Sequence, residues 1–217
     1  IWADPHVLIK DDKYYIFIEE LFYSDNKGHI SVIEMDENGN FLDPQIVLEE
    51  DYHLSYPFVI RDKGEIYMIP ETNSNNTIQI YKCIEFPKKW EFHKVLMNNI
   101  KAVDTTIFVK NGKYWLFTNI AKHRGASTLD ELFLFYSDEL LADNWVSHPK
   151  NPIVSDVKSA RCAGNLFYHN KRLYRPSQNC SKRYGYGLQF NRILELNEKN
   201  YREEIEKSIF PEENNNI

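Results

Sequence analysis

The stretch VDTTIFVKNGKYWLFTNI, from Val103 to Ile120, decides the fold, because three other segments repeat its grammar without gaps. They are ADPHVLIKDDKYYIFIEE from Ala3, SYPFVIRDKGEIYMIPET from Ser55 and CAGNLFYHNKRLYRPSQN from Cys162. Their second positions are Asp4, Tyr56, Asp104 and Ala163, so successive copies stand 52, 48 and 59 residues apart. Each copy runs from a short apolar stretch (Ile107-Phe108-Val109 in the third) through a polar turn to a second apolar stretch. Two such runs divided by Asp, Asn or Gly signal a β-hairpin. An aromatic recurs at one offset, as Tyr15, Tyr67, Trp115 and Tyr174, and is assigned to packing between blades.

Between the copies lie further strand-like segments. They are His29 to Met35 and Pro44 to Glu49, then Thr77 to Cys83 and Glu91 to Leu96, then Glu131 to Ser137 and Trp145 to His148, and finally Gly187 to Leu196 and Tyr201 to Ile205. Four strands in each repeat of about 50 residues describe a propeller blade. Apolar runs and period-2 alternation dominate, and helical spacing is missing, apart from a short turn of helix expected around Glu139-Leu140-Leu141. The fold class is therefore all-β, a β-propeller with blades near 3–50, 55–97, 103–149 and 162–207 in a single domain. Four-bladed rings exist, but the missing initial methionine suggests a larger, five-bladed ring whose remaining blade lies outside this stretch. Residues 212–217 are polar and Asn-rich, and fraying is expected there.

Composition narrows the function. The chain has 217 residues and a formal charge of −6, with Lys and Arg scattered, so no basic stripe suits a nucleic acid. No apolar window is long enough to span a membrane. Three cysteines at unpaired spacings give neither a disulfide framework nor a zinc site, and no cofactor or metal motif appears. Localisation stays unknown, with the cytoplasm slightly favoured. The 14 Tyr, 13 Phe and 4 Trp suit both sheet packing and sugar stacking.

The innermost strand of each blade lines the axis, so equivalent repeat positions form rings. One ring is Asp4, Tyr56, Asp104 and Ala163; the other is Glu19, Glu71, Asn119 and Gln178. A single carboxylate there reads as a turn or cap residue. Two Asp residues at one repeat position also suit glycoside cleavage, which uses carboxyl pairs about 5 Å or about 6.5–9.5 Å apart. His6 and His53 lie near strand openings, where they read as channel-lining or as plain core or turn histidines, and residues 123–128 form a polar loop that either covers the channel mouth or is simply solvated.

The Ala3-Asp4-Pro5 and Val103-Asp104 openings resemble those of the five-bladed glycoside hydrolases of family 43, as do Tyr136-Ser137-Asp138 and Asn144-Trp145. The resemblance implies a general-base role for Asp4 and a pKa-modulating role for Asp104. It also implies a general-acid Glu in the fourth blade, where this chain reads Arg161-Cys162-Ala163-Gly164. That departure leaves enzymatic activity open, with Glu71 or Glu19 as a displaced acid. A more specific resemblance covers nearly the whole chain. Tyr52-His53-Leu54-Ser55-Tyr56-Pro57, Ile69-Pro70-Glu71, Val103-Asp104-Thr105-Thr106 and Arg175-Pro176-Ser177-Gln178-Asn179-Cys180-Ser181 resemble the N-terminal propeller domain of glucosamine inositolphosphorylceramide transferases. This implies a carbohydrate or glycolipid ligand and a fused or associated transferase domain.

On that reading Arg161 and Arg175 offer donor forks to a carboxylate or phosphate, or else pair with Asp4 or Asp104 to balance a buried acidic ring. Tyr56 would stack on a sugar ring, and Asp4, Glu19, His53, Glu71, Asp104 and Gln178 would bond sugar hydroxyls. A protein-interaction scaffold is the remaining alternative.

Overall fold

The computed structural model describes residues 1–22, 24, 27–123 and 125–211. Residues 212–217, where fraying was expected, and Arg124 of the polar loop lie outside the described residues. Four antiparallel sheets follow one another along the chain, each with its strands in sequence order from axis to rim. Blade one holds β1 (Trp2–Lys10), β2 (Lys13–Phe22), β3 (Lys27–Met35) and β4 (Gln45–Leu48). Blade two holds β5 (Ser55–Asp62), β6 (Glu65–Thr72), β7 (Thr77–Glu85) and β8 (Lys89–Asn98). Blade three holds β9 (Ala102–Lys110), β10 (Lys113–Ile120), β11 (Glu131–Ser137), β12 (Val146–Ser147) and β13 (Val154–Ser155). Blade four holds β14 (Phe167–His169), β15 (Arg172–Asn179), β16 (Gly187–Leu196) and β17 (Tyr201–Ile209).

The repeated hairpin folds the same way four times. Its two central residues have positive φ in every blade: Asp11-Asp12, Lys63-Gly64, Asn111-Gly112 and Asn170-Lys171. That is the requirement of a type I′ turn, whose twist matches the right-handed twist of the strands it joins. Asn, Asp and Gly tolerate the left-handed region, which is why they gather there.

A second backbone feature recurs and is not visible as a pattern of residue types. Asp4, Tyr56 and Asp104, at one repeat position, all have positive φ, between 43° and 52°. The strand registers slip beside each of them, between Ala3 and His6, between Ser55 and Phe58, and opposite Phe117 to Asn119. The bulge re-aims one side chain per blade. Blade four departs. Its inner strand is only three residues long, and the positive φ falls on Gly164, at 115°.

Packing closes the blades on one another. Phe17, Ile30, Leu54 and Met68 are fully buried between blades one and two. Ile69, Leu116, Phe117 and Leu132 do the same from blade two onward, joined by Leu173 and Ile193 of blade four. Tyr15, Tyr67 and Trp115 lie in these layers as expected, whereas Tyr174 stacks on Phe167 at 5.6 Å beside an open cleft of blade four. The outer strand expected at Trp145 to His148 is split into β12 and β13, both paired to β11. Between them Asn151 bonds the Leu134 backbone N–H and C=O, at 2.8 and 2.7 Å, in place of a strand. Leu140 and Leu141 form a turn rather than helix, and the described helical structure is one 3₁₀ turn, Asn73–Asn75. No helix is long and apolar enough to cross a membrane among the described residues.

Lys171 is exposed at φ 62° in its turn. Lys171→Gly makes the pair Asn-Gly and is expected to stabilise the fold by about 0.5–1 kcal/mol. The readout is the urea midpoint, and a lowered midpoint would contradict the I′ assignment.

Candidate functional site

The bulged position and the end of the second strand bring carboxyls from blades one, two and three to the axis. Asp104 is 2% exposed, too buried to stay ionised without a cation. Arg161 supplies one. Its Nε and Nη2 donate to the two Asp104 oxygens in a bidentate fork, the second at 3.0 Å. Nη1 donates to Thr128 Oγ1 at 3.1 Å, and Nη2 stands 3.9 Å from Glu71 Oε2. All three guanidinium nitrogens are thus engaged within the protein.

Asn119 holds Arg161 in place. Its amide donates to the Ala160 carbonyl at 3.1 Å and its oxygen accepts the Cys162 N–H at 3.0 Å, clamping the chain on both sides of Arg161. The Gln178 N–H donates to the Arg161 carbonyl at 2.9 Å, and Gln178 Nε2 lies 3.4 Å from the Cys162 carbonyl. The lower ring therefore splits by role: Glu19 and Glu71 join the charged cluster, while Asn119 and Gln178 position the arginine segment. Asn119 was legible as a ring member, but a clamp on a segment some 40 residues away has no sequence signal.

Glu71 bonds Asp104 twice, accepting its backbone N–H and donating a proton to its carboxylate. Burial and the adjacent Asp104 charge push the Glu71 carboxyl up to about 8. Burial raises Asp104 as well, but the Arg161 fork opposes that, so the pair's negative charge rests on Asp104 and its proton on Glu71. Asp4 accepts the Tyr56 backbone N–H and is pushed up to about 6 by burial and then by Asp104. Glu19 is pushed up to about 7 by burial, Asp4 and Asp104.

His53 stands 3.4 Å from Glu19. Its Nδ1 accepts the Gly28 N–H at 2.9 Å, so the neutral ring carries its proton on Nε2, facing Glu19. Gly28 is required there, since a Cβ would fall 2.6 Å from the Leu54 carbonyl oxygen and 2.7 Å from the His53 ring. Burial holds His53 below the usual histidine range.

Two expectations fail. Tyr56 is 2% exposed, with its hydroxyl 2.7 Å from Thr106 Oγ1 and accepting the Gly164 N–H at 2.9 Å. Its ring packs edge-on against His6, so it offers no face to a sugar. Arg175 is wholly buried and forks onto Glu203, with a further bond to the Ser159 carbonyl at 2.7 Å. It braces blade four away from the axial carboxyls, with its side chain wholly buried. Of the two readings of Arg161, the ion pair is the one realised. His6 is a core histidine, 3% exposed and pushed down to about 4 by burial. Among the described residues no group of three or more His, Cys, Asp or Glu is placed to hold a metal ion.

The family model described as glucosamine inositolphosphorylceramide transferase 1, N-terminal, matches residues 1–216. The chain belongs to that family. It is 35% identical over 204 residues to glucosamine inositolphosphorylceramide transferase 1 of Oryza sativa subsp. japonica, covering 93% of this chain and 27% of the relative. The chain thus spans about a quarter of that relative's length.

Among solved structures, a thermostable family-43 glycoside hydrolase superposes with a TM-score of 0.71 at 12% identity, over 97% of this chain and 76% of its own. An α-L-arabinanase of Cellvibrio cellulosa, complexed with arabinohexaose, gives 0.65 at 14% identity, over 94% and 77%. At such identities the likeness is one of fold, and the family's propeller is glycosidase-like in architecture.

Two predictions follow from the axial charges. Arg161→Met leaves Asp104 buried without its cation and should cost about 3–5 kcal/mol of folding stability. Adding Asp104→Leu should recover most of that in urea denaturation, and a double variant no more stable than the single would contradict the pairing. Asp4, Glu19 and Glu71 hold protons more tightly folded than unfolded. These three groups therefore contribute a stability that falls as pH rises from their ordinary values, 3.8 to 4.5, to about 8; His6, held at about 4 by burial, contributes the opposite slope up to 6.5, so the fall is read between about 6.5 and 8. Glu71→Gln should flatten the upper part of that fall in denaturation midpoints measured across the window. An unchanged slope would place Glu71's proton elsewhere.

Proposed function

We propose that this domain is a carbohydrate-recognising, glycosidase-like propeller module serving a glycan- or glycolipid-modifying transferase, with its sugar site at Asp4, Glu19 and Glu71. The observation that carries the reading is the convergence of these carboxyls on one axis, each pushed toward neutral pH by burial, while the bidentate fork of Arg161 goes to Asp104 and reaches Glu71 only at 3.9 Å. Groups that accept or donate as the proton shifts suit sugar hydroxyls, which do both. Asp104 and Arg161 set the field of the site from beneath. The family match and the transferase named for its relative support the setting. In the same reading the ring has five blades. Val7 and Ile9 on β1 are left 46% and 60% exposed, and an aromatic cleft lined by Phe167, Tyr174 and Phe190 stays open on blade four, as faces awaiting a neighbouring blade.

A second reading is supported by one specific feature. A glycosidase acid must hold its proton near neutral pH, and Glu71 does, while Asp4 near 6 suits a base. Glu71 would then replace the acid missing at Ala163, and turnover of aryl glycosides would show a bell-shaped pH dependence. Silence toward every sugar would favour the scaffold reading instead.

Calorimetry of the domain against glucosamine, N-acetylglucosamine, xylobiose, arabinohexaose and myo-inositol 1-phosphate tests the site. Asp4→Asn keeps the left-handed backbone that Asn tolerates while removing the charge. Binding of at least one sugar, weakened about tenfold or more by Asp4→Asn, is expected. Binding unchanged by that substitution would overturn the placement.

A further inference from the structure

Sequence reasoning assigned the aromatic platform to Tyr56, which is buried, but the fold brings another tyrosine to the channel mouth. The loop joining β15 to β16 carries Tyr184, whose ring lies over the Arg161 guanidinium with 5.5 Å between Cζ and the ring centroid. Its hydroxyl is 3.4 Å from Gln178 Nε2, and Gly185 turns the chain just after it at φ 63°. Tyr184 nonetheless remains 53% exposed. One face is layered on a cation that is itself locked onto Asp104, and the rest of the ring meets solvent. It also lies within electrostatic reach of Asp4 and Asp104, so it belongs to the surroundings of the carboxyls and not to a remote surface.

A ring fixed on one face and open on the other is a preorganised contact surface. An aromatic face attracts the weakly positive C–H groups of a sugar ring, because its π-cloud is negative. A sugar seated there would present hydroxyls to Asp4 and Glu19. Charge narrows the ligand further. Three of the five N–H groups of Arg161 already donate within the protein and its charge is matched by Asp104, so this guanidinium is not free to receive a phosphate or carboxylate. Such a group would instead meet the carboxyls of Asp4 and Glu19, and like-charge contacts of that kind exclude a ligand.

We infer that Tyr184 is the stacking platform of the axial site and that the site selects a sugar unit carrying no anionic group. This rests on the carbohydrate site proposed above. The test measures binding of the same five probes to the domain and to Tyr184→Ala, Tyr184→Phe and Asp4→Asn. The neutral or amino sugar that binds should be weakened about tenfold by Tyr184→Ala and change less than about twofold with Tyr184→Phe, which keeps the ring. myo-Inositol 1-phosphate should neither bind nor compete. Wild-type affinity in Tyr184→Ala, together with loss in Asp4→Asn, would overturn the platform and leave the site standing. Competition by the phosphate would overturn the charge selection. No sugar binding to the unmodified domain would remove the site and the platform together.

Discussion

A carboxylate as buried as Asp104 must be neutralised by a cation or a proton, and the axis of this propeller uses both in sequence. Arg161 takes the charge of Asp104, and the proton that the pair retains sits on Glu71. Asn119 and the Gln178 backbone then exist at the axis to keep Arg161 where Asp104 needs it. Beside Arg161, Cys162 keeps an antiparallel bridge to Ser177 of β15, and the Gly164 N–H sits on the Tyr56 hydroxyl. One ion pair thereby balances the buried charge of Asp104, opposes the protonation that burial imposes on Asp4 and Glu71, and seats the ring of Tyr184.

The arrangement also explains how a glycosidase-like propeller can hold its acidic axis without a fourth-blade carboxylic acid. A cation beside that position would depress an acid's pKa and make it a poor proton donor. In this chain the cation is consumed by Asp104, and the groups held near neutral pH stand in blades one and two instead. Hydrogen bonding to hydroxyls needs no fixed spacing between such groups, whereas glycoside cleavage demands a particular separation of acid and base.

Much of the architecture was legible because a propeller repeats its hairpin at fixed offsets. The Asp11-Asp12, Lys63-Gly64, Asn111-Gly112 and Asn170-Lys171 turns mark the four copies, and the rings containing Asp4, Asp104, Glu19 and Glu71 follow from alignment alone. What alignment does not carry is orientation and saturation. Tyr56 shares the bulge of Asp4 and Asp104, yet Thr106 and Gly164 consume its hydroxyl and the core covers its ring. Arg175 looks like Arg161 in sequence, but Glu203 on the outermost strand claims it. Tyr184 stands in a loop outside the repeat, where no periodicity points to it. The split of β12 and β13 depends on Asn151 imitating a strand's hydrogen bonds, which is a side-chain event without a strand signature.

The most direct measurement is a ¹³C NMR titration of the side-chain carboxyls in the folded domain, assigned with Asp4→Asn, Glu19→Gln and Glu71→Gln. The account predicts titration of Asp4, Glu19 and Glu71 at about 6, 7 and 8, with the Glu71 transition moved when Arg161 is replaced. All three titrating in the ordinary range below about 5 would mean a solvated, fully ionised axis, and the shared-proton site described for this propeller would not exist.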